Sequence, residues 1–269
     1  MILRNLLAAL FLVSAAFPSL TSAQTAPATA EDLVKKALDA RGGEARIKSV
    51  QAQRVTGTIS FGPNLDGPFF VELKRPGKVH MEVVIQGQTI LRIYDGHAGW
   101  LVNPFAEDKG PQPMSGNDLK NIAEESDLDG PLVDYQKKGN KIELLGKDQV
   151  DGKPAVKLKL TTSTGDVRIY YFDPATFLLL KWEGVRKSED QEMPVESLFS
   201  DYRDVNGLKF PFKVDTNSPG SNRTQNLAIE KIELNAQIDD AHFAKPPEPA
   251  VANPPAQPAA PPKQNPEHR

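Results

Sequence analysis

Histidine and the acidic residues are the side chains that could perform chemistry here, because cysteine is absent from all 269 residues. The four histidines, His80, His97, His242 and His268, are scattered along the chain, and none has a partner at the spacing of a metal site. A surface or strand histidine is the commoner explanation for such positions. The sequence therefore predicts no thiolate chemistry, no metal centre and no cofactor.

The densest group of carboxylates is a short run formed by Glu124, Glu125, Asp127 and Asp129. The run lacks the ligand spacing of a calcium loop and follows a helical pattern, so we interpret it as a solvated face. Serine-nucleophile, zinc-protease, dinucleotide and phosphate-loop motifs are also absent from the sequence. We predict that the protein is not an enzyme, and a hydrolase using an unrecognised acidic pair remains as a minor alternative.

The first residues have the pattern of an export signal. Arg4 provides a positive charge, 6–20 is an apolar stretch, and Thr21-Ser22-Ala23 places small residues before a cleavage point. A transmembrane anchor would need about 20 continuous apolar residues, and Pro18 interrupts the run. A lipid anchor would need a cysteine after the signal. We predict that residues 1–23 are removed, that 24–28 form a short leader, and that the protein is periplasmic or secreted with no membrane anchor.

The last residues differ in composition from the rest of the chain. Nine prolines lie between Lys245 and Arg269, and no aromatic residue accompanies them. Such a segment buries little surface, so we predict a disordered tail over 244–269. The tail is either a disordered end without a role, or a functional spacer or partner-binding arm. Residues 29–243 remain as one β domain, and a formal net charge of −3 gives no sign of a nucleic-acid surface.

Periodicity predicts one helix followed by a long series of strands. Thr29 can cap a helix that Gly42-Gly43 ends, and from Val55 the apolar residues alternate with polar ones. Turn signals such as Asp95-Gly96 and Asn206-Gly207 predict antiparallel neighbours. Further strands are predicted over 69–74, 79–86, 89–94, 100–103, 142–145, 155–162, 167–172, 177–187, 195–202, 208–215 and 227–235.

A helical insertion divides this series of strands. Ser115 is placed to cap a helix over 117–125, and 128–136 is expected to add another turn or two. The fold class is therefore α+β, mainly β, with a helix over one face of an antiparallel sheet.

Several strands are apolar on both faces, as in Phe69-Phe70 and Leu178-Leu179-Leu180. Either these are central strands covered by a helix on one side and tail residues on the other, or the sheet is curved around an apolar ligand. The alternation of side chains along each strand gives the candidate cavity residues. An error of one residue in the register would place these side chains on the opposite face of the sheet. They are Phe69, Val71, Met81, Val83, Leu91, Ile93, Trp100, Leu119, Ile122, Ile169, Tyr171, Leu178 and Leu180.

Three stretches in order, 94–100 (YDGHAGW), 171–176 (YFDPAT) and 202–211 (YRDVNGLKFP), resemble the outer-membrane lipoprotein-sorting (LolA/LolB-like) superfamily. Gly42-Gly43 and 127–132 add to the likeness. The resemblance implies a curved, unclosed antiparallel β half-barrel with covering helices, and a cavity that carries lipoprotein acyl chains across the periplasm. No arginine of this sequence can be aligned with the functional arginine of the family, so the resemblance implies no arginine site.

Two functional hypotheses follow. The first is a non-enzymatic periplasmic carrier or binder of a lipid or lipoprotein acyl chain, in which apolar side chains cover the methylenes of the ligand. The second is an interaction or sensor module that binds another envelope protein through a sheet edge or the proline-rich tail. Neither hypothesis involves a nucleic acid.

Overall fold

The computed structural model describes residues 27–187, 191–221 and 224–248. The predicted signal at 1–23, most of the 24–28 leader and the tail from residue 249 onward lie outside these residues. Within them, no helix combines the length and the apolar character needed to cross a membrane.

A single antiparallel sheet of thirteen strands dominates the structure. The order across the sheet is β6-β5-β4-β3-β2-β1-β13-β12-β11-β10-β9-β8-β7, so β6 and β7 are edges and the sheet does not close. This arrangement confirms the predicted mainly β half-barrel. The strands are β1 (Ala52–Ser60), β2 (Asp66–Lys74), β3 (Lys78–Ile85), β4 (Gln88–Tyr94), β5 (Gly99–Val102), β6 (Gln112–Pro113), β7 (Lys141–Val150), β8 (Lys153–Thr161), β9 (Val167–Phe172), β10 (Leu179–Lys187), β11 (Glu192–Val205), β12 (Leu208–Asn217) and β13 (Thr224–Leu234).

In the described residues, three α-helices accompany the sheet: α1 (Ala30–Ala40), α2 (Glu44–Ser49) and α3 (Gly116–Glu125). The Thr29 hydroxyl accepts a hydrogen bond from the Asp32 amide at 3.1 Å, as an N-cap does. Gly42 and Gly43 follow α1 with φ of 120° and 91°, values that favour glycine. The α2 helix was not predicted, because its six residues bury only Ile47 and show no periodicity.

The predicted helical turns over 128–136 are wrong. The segment forms turns without a helix, because Gly130-Pro131 interrupts it and Asp134 has a φ of 51°.

One face of the sheet, here called the helix-covered face, holds the main core. The side chains of α1 pack on β8 and β9, where Leu33 and Leu158 are fully buried. A second cluster continues along β1 to β3 and includes Phe69 and Val83. Phe210 packs against both clusters, so the two clusters form one continuous surface.

The opposite face, here called the outer face, is covered in part by the C-terminal segment 236–243. Ile238 and Phe243 of this segment are buried against Ala52 of β1. The ammonium of Lys74 donates to the Ile238 carbonyl at 2.8 Å and to Asp240 at 2.9 Å. The doubly apolar pattern of these strands therefore has a structural cause, since residues near the C-terminus shield one face and the second core cluster occupies the other.

A buried carboxylate holds this segment to the sheet. Glu72 of β2 is fully buried, and it accepts hydrogen bonds from Arg54 at 2.7 Å and 2.9 Å. The His242 ring nitrogen lies 2.7 Å from the other carboxylate oxygen. Burial alone would raise the pKa of Glu72, but the bonds to His242 and Arg54 outweigh burial and hold this pKa below its usual value.

We expect the Leu158→Ala substitution to lower the free energy of unfolding by about 2–5 kcal/mol, because it leaves a cavity in the main core. Urea denaturation measures this loss. The matched control is Leu145→Ala on the edge strand β7, where the side chain is 39% exposed, and its expected effect is below about 1 kcal/mol. Equal losses for the two variants would contradict the assigned core.

The lowered pKa of Glu72 makes its contribution to stability depend on pH. The contribution is fully present above the unfolded-state pKa and is lost as the pH falls through the lower folded-state pKa. Unfolding free energies of the parent protein and of Glu72→Gln, compared from neutral to acidic pH, should therefore converge on acidification. A difference that stays constant over this range would show that the carboxylate charge does not stabilise the fold.

Candidate ligand-binding site

The α3 helix lies over the helix-covered face with little apolar anchorage. Ile122 is its fully buried residue, and the other side chains of α3 are half-buried or exposed. Because Gly99 of β5 has no side chain, α3 and the residues just before it can approach β5 closely. A Cβ atom at this glycine would lie 3.0 Å from Met114 Sδ and 3.3 Å from Leu119 Cδ1.

Ion pairs attach α3 to strands from both halves of the sheet. Glu125 accepts from Arg92 of β4 at 2.9 Å, and Glu124 accepts from Arg168 of β9. Lys120 pairs with Asp166 beside β9, and the Lys120 hydrogen bond lowers the pKa of Asp166 to about 2. Charged contacts therefore hold α3 across the open side of the sheet, and salt weakens contacts of this kind.

The loop after α3 is fixed in the same way. Arg75 donates to both carboxylate oxygens of Asp129 at 2.5 Å and 3.0 Å, and Lys138 donates to Asp127 at 2.5 Å. The Arg75 hydrogen bond is the main cause that holds the pKa of Asp129 below its usual value. The acidic run is therefore paired with basic residues from distant segments, and the interpretation as a simple solvated face is incomplete.

Two of the clefts that border α3 share part of their lining. The first, of about 340 Å³, lies between α3 and strands β9 to β11 and has Tyr170, Leu179, Trp182 and Phe199 as apolar lining. The second, of about 310 Å³, lies between α3 and strands β4 and β5. Asn121, Glu125 and Arg186 line both clefts.

A smaller cavity of about 140 Å³ extends the first cleft beneath α1. It shares Pro131, Tyr170 and Leu179 with that cleft, and Phe172 and Phe177 close it from below. Together the cleft and the cavity fall within the range of about 300–1,000 Å³ typical of small-molecule sites. Two further grooves, of about 440 Å³ and 360 Å³, adjoin this region and are lined mostly by polar residues. The larger groove shares Glu124, Pro131 and Arg168 with the first cleft, and the other shares Leu38 and Leu132 with the cavity.

The structure separates the candidate cavity residues into groups. Leu119 and Ile122 lie on α3. Four residues of β2 and β3 lie together on the helix-covered face, in the second core cluster: Phe69, Val71, Met81 and Val83.

The other candidates lie away from that face. Leu91 and Ile93 pair directly with Glu82 and His80, and Trp100 pairs with Ile93, which places all three on the outer face. Another three form a separate cluster with Val150 and Ala155: Ile169, Tyr171 and Leu180. Leu178 is half-buried in the turn before β10.

Sequence reasoning did not select the residues that line the first cleft. Tyr170 and Leu179 are one position from the candidates Tyr171 and Leu180, and Trp182 is two positions from Leu180. A register shift between Leu179 and Lys181 changes parity within β10. The apolar face of α1 is the sequence signal that could have identified these cleft residues, because the packing of α1 determines which face of β9 and β10 is covered.

Within the part of the chain that the structure describes, no three His, Cys, Asp or Glu side chains form a group that could hold a metal ion. The first cleft and the cavity have apolar residues such as Leu179 and Trp182 in their lining, together with charged residues such as Glu124 and Arg168. Such a site can bind an elongated apolar molecule by covering its surface.

No protein-family model matches the sequence, and no curated protein matches it. Solved structures do match the fold. A DUF1329 family protein from Desulfovibrio piger superposes with a TM-score of 0.56 and 16% identity, covering 82% of this chain and 98% of that one. A LolA superfamily protein from Nitrosomonas europaea gives a TM-score of 0.50 and 15% identity, covering 81% and 98%.

An outer membrane lipoprotein-sorting protein domain from Vibrio parahaemolyticus gives a TM-score of 0.51 and 10% identity, covering 80% of this chain and 96% of that one. These identities are low, so the likeness concerns the fold. The protein has a LolA-like fold, as the sequence motifs predicted.

Glu125→Gln should loosen α3, because it removes the negative charge that pairs with Arg92 and Arg186. Hydrogen exchange at the amides of 116–125 is expected to rise roughly three- to tenfold, with β8 and β13 unchanged. The control is Glu143→Gln, which breaks an exposed pair with Lys159 far from α3. Unchanged exchange in α3 would mean that the ion pairs do not hold it.

Proposed function

We propose that the protein is a non-enzymatic periplasmic binder or carrier of an acyl chain. The ligand lies in the first cleft and the adjoining cavity, beneath α3. The observation that carries the proposal is the continuous apolar lining from Phe177 past Tyr170 and Leu179 to Trp182. Each methylene transferred from water into such a lining contributes about 0.8 kcal/mol.

The attachment of α3 supports this proposal. A carrier must admit and release an acyl chain, so its cover has to open without disrupting the core. Ion pairs to Arg92 and Arg168 give α3 a defined closed position, while Ile122 is its one fully buried side chain among the described residues. Opening α3 therefore exposes little apolar surface.

The cellular location belongs to the same proposal. The apolar stretch at 6–20 and the small residues at 21–23 are the pattern of a cleaved export signal. The LolA-like fold agrees with an envelope protein. Phe69, Val71, Met81 and Val83 are proposed to extend the site along the helix-covered face when α3 moves.

A contact-quenching experiment can test the site, because the chain has two tryptophans on opposite faces. Trp100→Phe leaves only Trp182, which lines the cleft, and Trp182→Phe leaves only Trp100 on the outer face. Titration with 9,10-dibromostearate should quench Trp182 strongly and Trp100 weakly. Saturable quenching of neither tryptophan would argue against the proposed function, and quenching of Trp100 alone would place the ligand on the other face.

The second candidate function is binding of another envelope protein at a sheet edge. The long edge strand β7 favours this function, because its outward backbone groups are unpaired with any strand of the described sheet. Lys141, Lys147 and the register shift at Leu144 blunt the same edge, as in strands that avoid pairing. Acyl binding is therefore the better supported of the two.

A further inference from the structure

The cavity beneath α1 contains one charged group that the acyl-binding function leaves unexplained. Its lining is apolar apart from Arg41 and Asp129. Arg41 is the residue that follows α1, and its backbone is held on both sides. Its amide donates to the Ala37 carbonyl at 3.1 Å, and its carbonyl accepts from the Lys209 amide at 2.9 Å.

In the part of the chain that the structure describes, the guanidinium of Arg41 has no hydrogen-bond or ion-pair partner. Across residues 27–187, 191–221 and 224–248, every other arginine donates a hydrogen bond to a carboxylate or carbonyl oxygen, as Arg54 does, or, like Arg186, forms an ion pair with a carboxylate. Arg41 alone among them makes no side-chain hydrogen bond or ion pair. Since an arginine side chain loses considerable freedom on burial, an unpaired one in a cavity wall is costly.

The acidic group that shares this cavity, Asp129, does not form an ion pair with Arg41. Asp129 is bound through both of its oxygens by Arg75, at 2.5 Å and 3.0 Å. The cavity wall therefore carries one excess positive charge. Burial lowers the pKa of Arg41, with Tyr202 and Asp129 opposing this shift, and a guanidinium remains charged throughout the neutral range. The α1 dipole favours a cation at its C-terminal end but supplies no hydrogen-bond acceptor.

We propose that the acyl ligand carries an anionic group, a carboxylate or a phosphate, that pairs with Arg41. This inference rests on the proposed acyl-binding function and specifies its ligand class. The planar guanidinium can donate two parallel hydrogen bonds to such a group. The acyl chain then runs from Arg41 past Tyr170 and Leu179 into the cleft beside Trp182. An acidic lipid fits this geometry better than a neutral diacylglyceryl anchor does.

Matched ligands that differ only in charge test the inference on the full chain. Palmitate is compared with hexadecanol, and dioctanoyl phosphatidate with dioctanoylglycerol, each by calorimetric titration. The unsubstituted protein should bind the anion of each pair roughly 10- to 100-fold more tightly. A preference for palmitate alone would identify a fatty acid as the ligand, and a preference for phosphatidate alone would identify a phospholipid.

Three variants test whether Arg41 causes the preference for anionic ligands. Arg41→Gln should reduce the affinity for the anions to that for the neutral ligands, whose own affinities stay unchanged. Arg41→Lys should keep part of the preference. Arg203→Gln, at an arginine that pairs with Asp201 outside the cavity, is the control and should keep all of it.

Equal binding of anion and neutral ligand by the unsubstituted protein would overturn the inference and leave acyl binding intact. If the unsubstituted protein binds neither the anionic nor the neutral ligand, both this inference and the proposed acyl-binding function are overturned. The ligand-free protein gives an independent readout, since Arg41→Met removes an unpaired charge from the cavity and should raise the melting temperature. A lower melting temperature for Arg41→Met would show that Arg41 has a structural role and would count against an unsatisfied anion site.

Discussion

An open antiparallel sheet of thirteen strands has two faces to cover, and the rest of the structure depends on how they are covered. A closed barrel would use its own interior for this purpose, but this sheet stays open between β6 and β7. Segments from outside the sheet therefore complete the core. The α1 and α2 helices pack on one face, and residues 236–243 pack on the other.

The two kinds of covering element differ in how they are attached. The α1 helix contributes buried Leu33, Val34 and Leu38 and belongs to the core, so moving it would expose a large apolar surface. The α3 helix contributes buried Ile122 and a set of ion pairs. Electrostatic contacts in partly exposed positions are weak individually and define position well. The fold thus combines a cover that is attached by apolar packing with one that is attached mainly by ion pairs, above the same face.

The sequence predicted the fold better than the site, for a physical reason. The β9 strand was placed with its observed bounds, 167–172, because alternation and turn residues are local signals. The helix-covered side of β9 and β10 depends on where α1 packs, which is not a local property. A register shift at Leu179 then reverses the parity in β10, so Trp182 faces the cleft and Leu180 does not.

Arg41 could not be identified from sequence at all. Its cavity is assembled from α1, the loop after α3 and strands β9 and β10, which are far apart in the chain. Only the structure shows that Arg41 lacks a partner, because Arg75 forms the ion pair with Asp129. Likewise, no sequence pattern shows that Arg92 and Arg168 from distant strands meet the same helix.

The pairing of β1 with β13 has a consequence for the order in which the chain can fold. The remaining neighbours are close in sequence, but Gln53 lies opposite Leu234 at the centre of the sheet. The two halves can form as separate meanders, and only the last strand joins them. Pairings between such distant segments form slowly, because a long loop must close before any contact stabilises it. The sheet is therefore complete only when β13 is present to pair with β1.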